Sequence, residues 1–290
     1  MRRGVPILGL FLAVAGGLLA QRFRGEGWGG DDSTRTAREV GNHSTETPIW
    51  TNPRGFEKDV FTFARIRYSR GMGGGYYRRR WGGSGWGTDM PDSDLNLSYR
   101  LQQMTSTRTD PDGRILNLTD RELAAYPWIY IVEPAGLFLE EPEVLALRKY
   151  LLNGGFLMLD DFWGDYAWQN VERQLKKVFP DRPFTELSLD HPLYNCVFPI
   201  KSKGQVPNYG TGEMSQHTGV TWEDHDGDCQ TVHHRVIFDD KGRIMVFAAH
   251  NSDNGDGWER EGEYQYYFEN FSEKIAYPLG INVVFYVMTH

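Results

Sequence analysis

Three short apolar runs in this chain each end directly at a polar side chain. They are residues 128–132, 156–159 and 245–249. Runs this short and continuous are typical of parallel strands that are buried on both faces. Helical patterns lie between them, and strands that alternate with helices predict a parallel sheet covered on both sides. We therefore predict an α/β fold with three layers and a mostly parallel central sheet.

The helical patterns follow from apolar spacing, capping residues and terminating prolines or glycines. They cover residues 93–106, 119–126, 141–153, 168–179 and 278–288. An additional strand is predicted over residues 61–68, where apolar and polar residues alternate. The chain of 290 residues is 40% hydrophobic, which is enough for a large core. Its net charge of −8 argues against a nucleic-acid partner, because phosphate binding needs Lys and Arg.

The first 20 residues have the pattern of an export signal. Arg2 and Arg3 precede an apolar stretch that ends at Ala20. That stretch is too short and too rich in glycine for a membrane span. We predict a cleaved signal over residues 1–20, a periplasmic or extracellular protein, and no stable membrane span after cleavage. Residues 21–56 are rich in Gly, Ser and Thr and predict a flexible linker, so that the α/β domain covers residues 57–290.

The polar residues that end the apolar runs are expected to meet. Glu133, Asp160 and His250 follow separate predicted strands, and parallel strands present their carboxyl ends at one edge of the sheet, where ligands bind. Asp160 and His250 are the candidate catalytic residues, because a carboxylate and an imidazole can divide acid and base work. We expect the neighbouring Asp161 to cap the next helix.

Other polar and aromatic residues flank the same predicted turns. The candidate ligand-binding residues are Asp89, Asp92, Glu133, Asp161, Trp163, Asn251, Asp253, Asp256 and Trp258. Tryptophan rings beside carboxylates are typical of sugar sites, which predicts that Trp163 and Trp258 stack on a small polar ligand such as a carbohydrate. Helix capping and ordinary polar turns account for Asp92 and for residues 250–260 equally well.

No metal ligand is assigned from the sequence. Asn251, Asp253 and Asp256 miss the register of a calcium-binding EF-hand loop, whose fifth position would be Gly255. The acidic turn at residues 224–228 is equally irregular. Cys196 and Cys229 lack metal-ligand spacing, and their bonding is left open. The cofactor is therefore unknown.

Several long motifs resemble the bacterial domain of unknown function 4159. They are residues 86–96, 150–163, 255–259 and 277–282. The resemblance covers essentially residues 57–290 and implies a flavodoxin-like fold akin to class I glutamine amidotransferases. Those enzymes need a cysteine at a strand-to-helix turn, where this chain has Asp160 and Asp161. Glutaminase chemistry is thereby excluded, and the resemblance carries over no catalytic residues.

Three functions stay open at this point. The first is an exported domain that binds a small polar ligand such as a carbohydrate. The second is a hydrolase that uses Asp160 or His250, with or without a divalent cation. The third is an envelope scaffold that meets a protein partner through the glycine-rich loop at residues 71–87, which could instead be a lid over the site or a solvated insertion.

Overall fold

The computed structural model describes residues 30–56, 59–69 and 85–290. Within these residues one seven-stranded sheet is formed. Its strands are β1 (Ala64–Arg67), β2 (Arg114–Asn117), β3 (Trp128–Val132), β4 (Phe156–Asp160), β5 (Thr185–Glu186), β6 (His233–Phe238) and β7 (Ile244–His250). The predicted strand at 61–68 is shorter than expected, because Phe61 makes only an isolated bridge to Thr109.

The helices lie between these strands and after β7. They are α1 (Asp92–Met104), α2 (Glu141–Leu152), α3 (Gly164–Val178), α4 (Tyr209–Thr218), α5 (Asn254–Glu259), α6 (Gln265–Tyr267) and α7 (Tyr277–Thr289). A π-helical segment, Phe268–Ala276, joins α6 to α7. The predicted helix at 119–126 is a 3₁₀ turn at Arg121–Ala125. No helix in the described part of the chain is long and apolar enough to cross a bilayer.

The sheet is mostly parallel, as predicted. Its strand order is β2-β1-β3-β4-β7-β6-β5. Strands β1, β2, β3, β4 and β7 are parallel, whereas β6 is antiparallel to β7 and β5 is antiparallel to β6. The turns that follow β1, β3, β4 and β7 therefore lie at the same edge of the sheet.

Alternate side chains of the central strands enter two separate cores. Leu157 of β4 belongs to the core that contains Leu147 of α2. Met158, the next residue, belongs to the core on the other face, with Leu97 of α1 and Ile281 of α7. Burial on both faces explains why these strands read as continuous apolar runs. The predicted three-layer α/β fold is confirmed.

Residues 30–56 pack against the domain, so the linker interpretation is wrong for this segment. Ala37 and Trp50 are buried in a small core with Ile115 of β2. The Trp50 Nε1–H donates to the Thr109 carbonyl at 3.0 Å. The segment packs through a few apolar side chains and many hydrogen bonds to backbone atoms. Its composition is therefore as polar as that of a linker. The predicted signal at 1–20 and most of the loop at 71–87 lie outside the described residues.

Replacing Trp50 with alanine is expected to destabilise the domain by about 3 kcal/mol, because a nearly buried aromatic ring and its hydrogen bond are lost. Trp50 is 9% exposed, and its neighbour Ile49 is 87% exposed. Ile49→Ala is therefore the matched control and should change stability by less than about 0.5 kcal/mol. Urea unfolding of both variants measures the difference, and equal stability would restore the linker interpretation.

Both cysteines are free thiols. The Cys196 Sγ lies 3.4 Å from the Pro192 carbonyl, and the Cys229 Sγ lies 3.8 Å from the Asp226 carbonyl. Burial raises the pKa of both thiols. Neither cysteine lies at a strand-to-helix turn, which agrees with the exclusion of thioester chemistry.

Candidate functional site

A cavity of about 260 Å³ lies beyond the carboxyl ends of the parallel strands. The chain moves from β1 outward to β2 and then returns to β3 on the other side of β1, which creates a topological switch point at this edge. Among the described residues, the cavity is lined by six carboxyl side chains and six other residues. These are Asp89, Glu133, Asp161, Glu223, Asp253 and Asp256, with Thr88, Trp163, Asn208, Tyr209, His225 and Arg260.

The turns that form the cavity contain unusual backbone. Among the described residues, four other than glycine have a positive φ, and each lies in a segment that follows a parallel strand: Asp89 (63°), Glu133 (48°), Asp161 (55°) and Asn251 (62°). Asp and Asn adopt this conformation more readily than other residues, whereas for Glu133 it costs roughly 1–2 kcal/mol. Such strain persists only where the surroundings enforce it, and it concentrates at functional sites. Three of the four residues line the cavity.

The cavity carries far more negative than positive charge. Arg260 is the guanidinium among the described lining residues, and it is already paired. Its Nε lies 2.8 Å from Glu259 Oε2, and its Nη1 lies 3.1 Å from Glu263 Oε2. Its Nε also lies 4.0 Å from Asp256 Oδ1, so this one guanidinium of the described lining faces several carboxyl groups.

Three of these carboxyl groups, Asp161, Glu223 and Asp253, form a cluster that we call the Asp161 triad. One oxygen from each lies within 4.8 Å of the others. Each side chain is oriented by a hydrogen bond: Asp161 Oδ1 accepts from Trp163 Nε1–H at 3.2 Å, Glu223 Oε1 from Asn208 N–H at 3.0 Å, and Asp253 Oδ1 from Asp256 N–H at 2.8 Å. The fold thus holds three carboxyl groups together.

Burial and repulsion from nearby carboxylates disfavour ionisation of two members of the triad, Asp161 and Asp253. Burial, followed by Glu133 and Glu223, raises the pKa of Asp161 well above its ordinary value. Burial, followed by Asp161 and Asp256, does the same to the pKa of Asp253. Like charges confined at low dielectric are relieved only by protons or by a cation.

A second carboxyl cluster adjoins the first. Oxygens of Asp89, Asp256 and Glu259 lie within 4.8 Å of one another. Asp89 is only 7% exposed, and its Oδ2 has no hydrogen-bond partner among the described residues. A Cβ on Gly255 would come within 2.1 Å of this oxygen, so only glycine leaves room for it. Burial, followed by Asp256, raises the pKa of Glu259 to about 10.

Asp160 lies beneath the cavity instead of facing it. Its Oδ1 accepts from Asn254 Nδ2–H at 2.8 Å, and its Oδ2 accepts from the Tyr130 hydroxyl at 2.9 Å and from Gly255 N–H at 3.0 Å. Asp161, which we expected to be a cap, lines the cavity. The N-cap position of α3 is Trp163, and its side chain makes no capping bond. The roles expected for the two aspartates are therefore wrong, because the turn points the second one outward.

His250 is also directed away from the cavity. Its Nδ1 accepts from Arg235 Nη1–H at 3.1 Å, and its Nε2–H donates to the Gly164 carbonyl at 3.0 Å. Burial lowers the pKa of His250 to about 3. Its ring stacks on Phe162. The structure places neither Asp160 nor His250 in the lining of the cavity, and their side chains make separate sets of hydrogen bonds.

Three candidate ligand-binding residues lie outside the cavity. Trp258 is fully buried in the core, where a Cβ on Gly280 would approach its ring within 2.8 Å. The Asn251 side chain donates to the Asp228 and Thr231 carbonyls. Asp92 accepts from the His43 N–H at 3.1 Å. The stacking role of Trp258 is therefore wrong.

Trp163 does line the cavity but is only 1% exposed. Its ring stacks on His225 with centroids 6.4 Å apart. The remaining candidates that line the cavity are Asp89, Glu133, Asp161, Asp253 and Asp256. Trp163 supports this carboxyl set through its hydrogen bond to Asp161 and does not present an open ring face to a sugar.

Sequence reasoning missed part of the lining. Thr88, Asn208, Tyr209, Glu223, His225 and Arg260 were not candidates. The acidic turn at residues 224–228 was the one signal near Glu223 and His225. Glu223 follows no strand directly and is brought to the site by tertiary packing alone.

Replacing Asp160 with asparagine is expected to destabilise the domain by about 2 kcal/mol, because both carboxylate oxygens accept hydrogen bonds and the NH2 end of the new amide must face a donor at one of the two positions. Asp160 does not line the cavity, so ligand binding there should change much less than in Asp161→Asn. Thermal unfolding with a binding titration compares the two variants. Wild-type stability in Asp160→Asn would contradict the structural role.

Comparison with known proteins identifies one family. The profile of the family described as "Domain of unknown function (DUF4159)" matches residues 62–288. This range contains the whole sheet and every residue of the cavity lining. A comparison with curated proteins gives no match.

Proposed function

The chain belongs to the DUF4159 family, and from its site we propose that it binds a hard divalent cation, Mg²⁺ or Ca²⁺, which in turn holds a small polar ligand. One observation carries this proposal. Six carboxyl groups converge on a cavity of about 260 Å³, and one of them, Asp89, has a buried oxygen with no partner among the described residues. Such a site is stabilised by a cation.

The donor atoms favour a hard cation. The Asp161 triad offers oxygens alone, and Mg²⁺ and Ca²⁺ take oxygen ligands, whereas thiolate and imidazole favour softer metals. His225 lies beside the triad, and its Nε2 lies 3.5 Å from Glu223 Oε2. His225 can therefore orient the Glu223 carboxylate toward the cation without binding the cation itself, as residues that hydrogen-bond to metal ligands commonly do.

The cation would leave room for a ligand. Three carboxylates fill about half of the six or more positions that these ions prefer, and the rest are taken by water or by ligand oxygens. Thr88, Asn208 and Tyr209 line the same cavity and offer hydrogen bonds. A carbohydrate or another polyhydroxyl compound fits this chemistry, with cation coordination in place of the ring stacking that Trp163 does not offer.

A metal-dependent hydrolase is the second candidate, and the second carboxyl cluster favours it. Burial raises the pKa of Asp89 well above its ordinary value, and a raised pKa suits a carboxyl group to act as a general acid. In this hydrolase the catalytic residue is Asp89, acting with the cation, and no longer Asp160 or His250. Cation-dependent turnover that is lost in Asp89→Asn would select it over simple binding.

Export is proposed alongside this function. The charged and apolar pattern of residues 1–20 supports it, and that segment lies outside the described residues. Cell fractionation of the full chain tests the location. Kinship with amidotransferases and a role as an envelope scaffold stay predictions.

Calorimetric titration of chelator-treated protein tests the cation directly. We expect Mg²⁺ or Ca²⁺ to bind and to raise the melting temperature, because a ligand that binds only the native state stabilises it. The matched control is Asp190→Asn, which removes an exposed carboxyl group. The proposal is refuted if neither ion gives a heat of binding and neither ion shifts the melting temperature.

A further inference from the structure

A second cavity lies on another part of the molecule, away from the carboxyl cluster. Its volume is about 400 Å³. It is bounded by residues 198–204, by the π-helical segment and by the start of α7. Ile200, Ile275 and Leu279 give it apolar walls. It shares no lining residue with the cation cavity.

The charge of this cavity is opposite to that of the whole protein. Lys201 and Lys274 line it, and no carboxyl group does so among the described residues. The net charge of the chain is −8. Lys274 Nζ donates to Asn270 Oδ1 at 2.8 Å, which fixes the ammonium at the rim and leaves it two further hydrogens. The rim therefore favours an anion.

A buried histidine, with one ring nitrogen unpartnered among the described residues, belongs to the lining of the same cavity. His234 is 1% exposed and belongs to the lining. Its Nδ1 lies 2.8 Å from the Tyr194 hydroxyl, which has no other acceptor among the described residues, so we assign the hydroxyl as donor. Burial lowers the pKa of His234 to about 3, and the neutral ring then carries its proton on Nε2. That Nε2 has no partner in the described part of the chain.

The backbone at this cavity is also unusual. Asn270, Lys274 and Ile275 lie in the π-helical segment Phe268–Ala276. π-Helical turns are rare and frequently occur at functional sites. The wider turn brings Asn270 and Lys274 to the cavity with Ile275.

We propose that this cavity binds a small amphipathic carboxylate. The apolar walls take the hydrocarbon part, and the carboxylate accepts hydrogen bonds from the His234 Nε2–H and the Lys274 ammonium. Charge-assisted hydrogen bonds of this kind are about twice as strong as neutral ones. The site is independent of the proposed cation site.

Octanoate is the probe, with octanamide as a neutral control that has the same tail. Titration calorimetry should give octanoate an affinity roughly tenfold higher than that of octanamide. Lys274→Gln and Tyr194→Phe should each lower the affinity for octanoate roughly fivefold. The first variant removes the positive charge, and the second removes the hydroxyl that keeps the His234 proton on Nε2. Lys241→Gln, which changes an exposed lysine elsewhere, should not.

Tyr194→Phe keeps the ring that packs on His234, so its folding can be checked by circular dichroism and its result interpreted. The proposal is overturned if octanoate gives no binding at millimolar concentration, if octanamide binds equally well, or if Lys274→Gln has no effect. Each measurement is made with and without Ca²⁺, and unchanged octanoate binding in its absence separates this site from the cation cavity.

Discussion

Replacing Asp161 with asparagine is expected to abolish divalent-cation binding and, without any cation, to raise the melting temperature. The variant removes one of three converging carboxyl groups, so repulsion within the Asp161 triad falls. Asparagine tolerates the positive φ of 55° and can still accept from Trp163 Nε1–H, so the turn is preserved. We expect affinity to fall at least about 100-fold and stability to rise by about 1 kcal/mol, or roughly 2–4 °C.

Calorimetry gives the affinity, and scanning fluorimetry with and without Ca²⁺ gives the two melting temperatures. Asp190→Asn should behave like wild type in both, because its carboxyl group is exposed and does not line the cavity. If Asp161→Asn were instead less stable than wild type without a cation, this carboxyl group would stabilise the fold. Repulsion within the Asp161 triad would then not be what limits the stability of the cation-free protein.

The stability of the cation-free protein is expected to fall as the pH rises above about 7, where the buried His234 and His250, with pKa values lowered to about 3, no longer take up protons on unfolding. Burial raises the pKa of Asp89, Asp161, Asp253 and Asp256 in the folded state. Groups with a raised folded pKa bind more protons in the native state than in the unfolded state. Their stabilisation is complete below the unfolded pKa of about 4 and is lost as the pH rises through the folded pKa. The window extends from about pH 4 toward pH 10, since the pKa of Glu259 is raised to about 10.

A group within its window contributes up to about 1.4 kcal/mol per pH unit. Glu259 alone should therefore lower the melting temperature by roughly 5–10 °C between pH 7 and pH 9. Saturating Ca²⁺ should flatten this dependence, because the cation replaces the protons. Melting curves at matched ionic strength measure both effects. Stability that increased with pH in the absence of Ca²⁺ would contradict the assigned pKa directions.

The sequence was sufficient to predict the central parallel strands and the edge of the sheet where the site lies. Continuous apolar runs indicate strands that are buried on both faces. The polar residues that end these runs lie at one edge of the sheet. Glu133 follows β3, Asp160 ends β4 and His250 ends β7, and these strands are parallel neighbours. The edge strands β2 and β5 and the inner strand β6 were not predicted. Residues 233–235 are two histidines and an arginine, which hide the strand pattern of β6.

The side chains that face the cavity could not be predicted from the same pattern. Asp160 continues the strand and points into its hydrogen-bond network, whereas the left-handed turn at Asp161 directs the next carboxyl group outward. That reversal depends on a backbone angle that either residue could adopt. Glu223 and Asn208 arrive from segments without a strand, so only tertiary packing places them.

Terbium luminescence tests the cation site most directly, because Tb³⁺ is a hard ion that takes oxygen ligands and is excited by a nearby indole. Trp163 Nε1 lies 3.2 Å from Asp161 Oδ1, so a Tb³⁺ ion at the Asp161 triad would be next to this ring. We predict sensitised emission that Ca²⁺ displaces, that Asp161→Asn abolishes and that Asp190→Asn leaves unchanged. Absent emission, or emission that persists undiminished in Asp161→Asn, would contradict a cation site in this cavity.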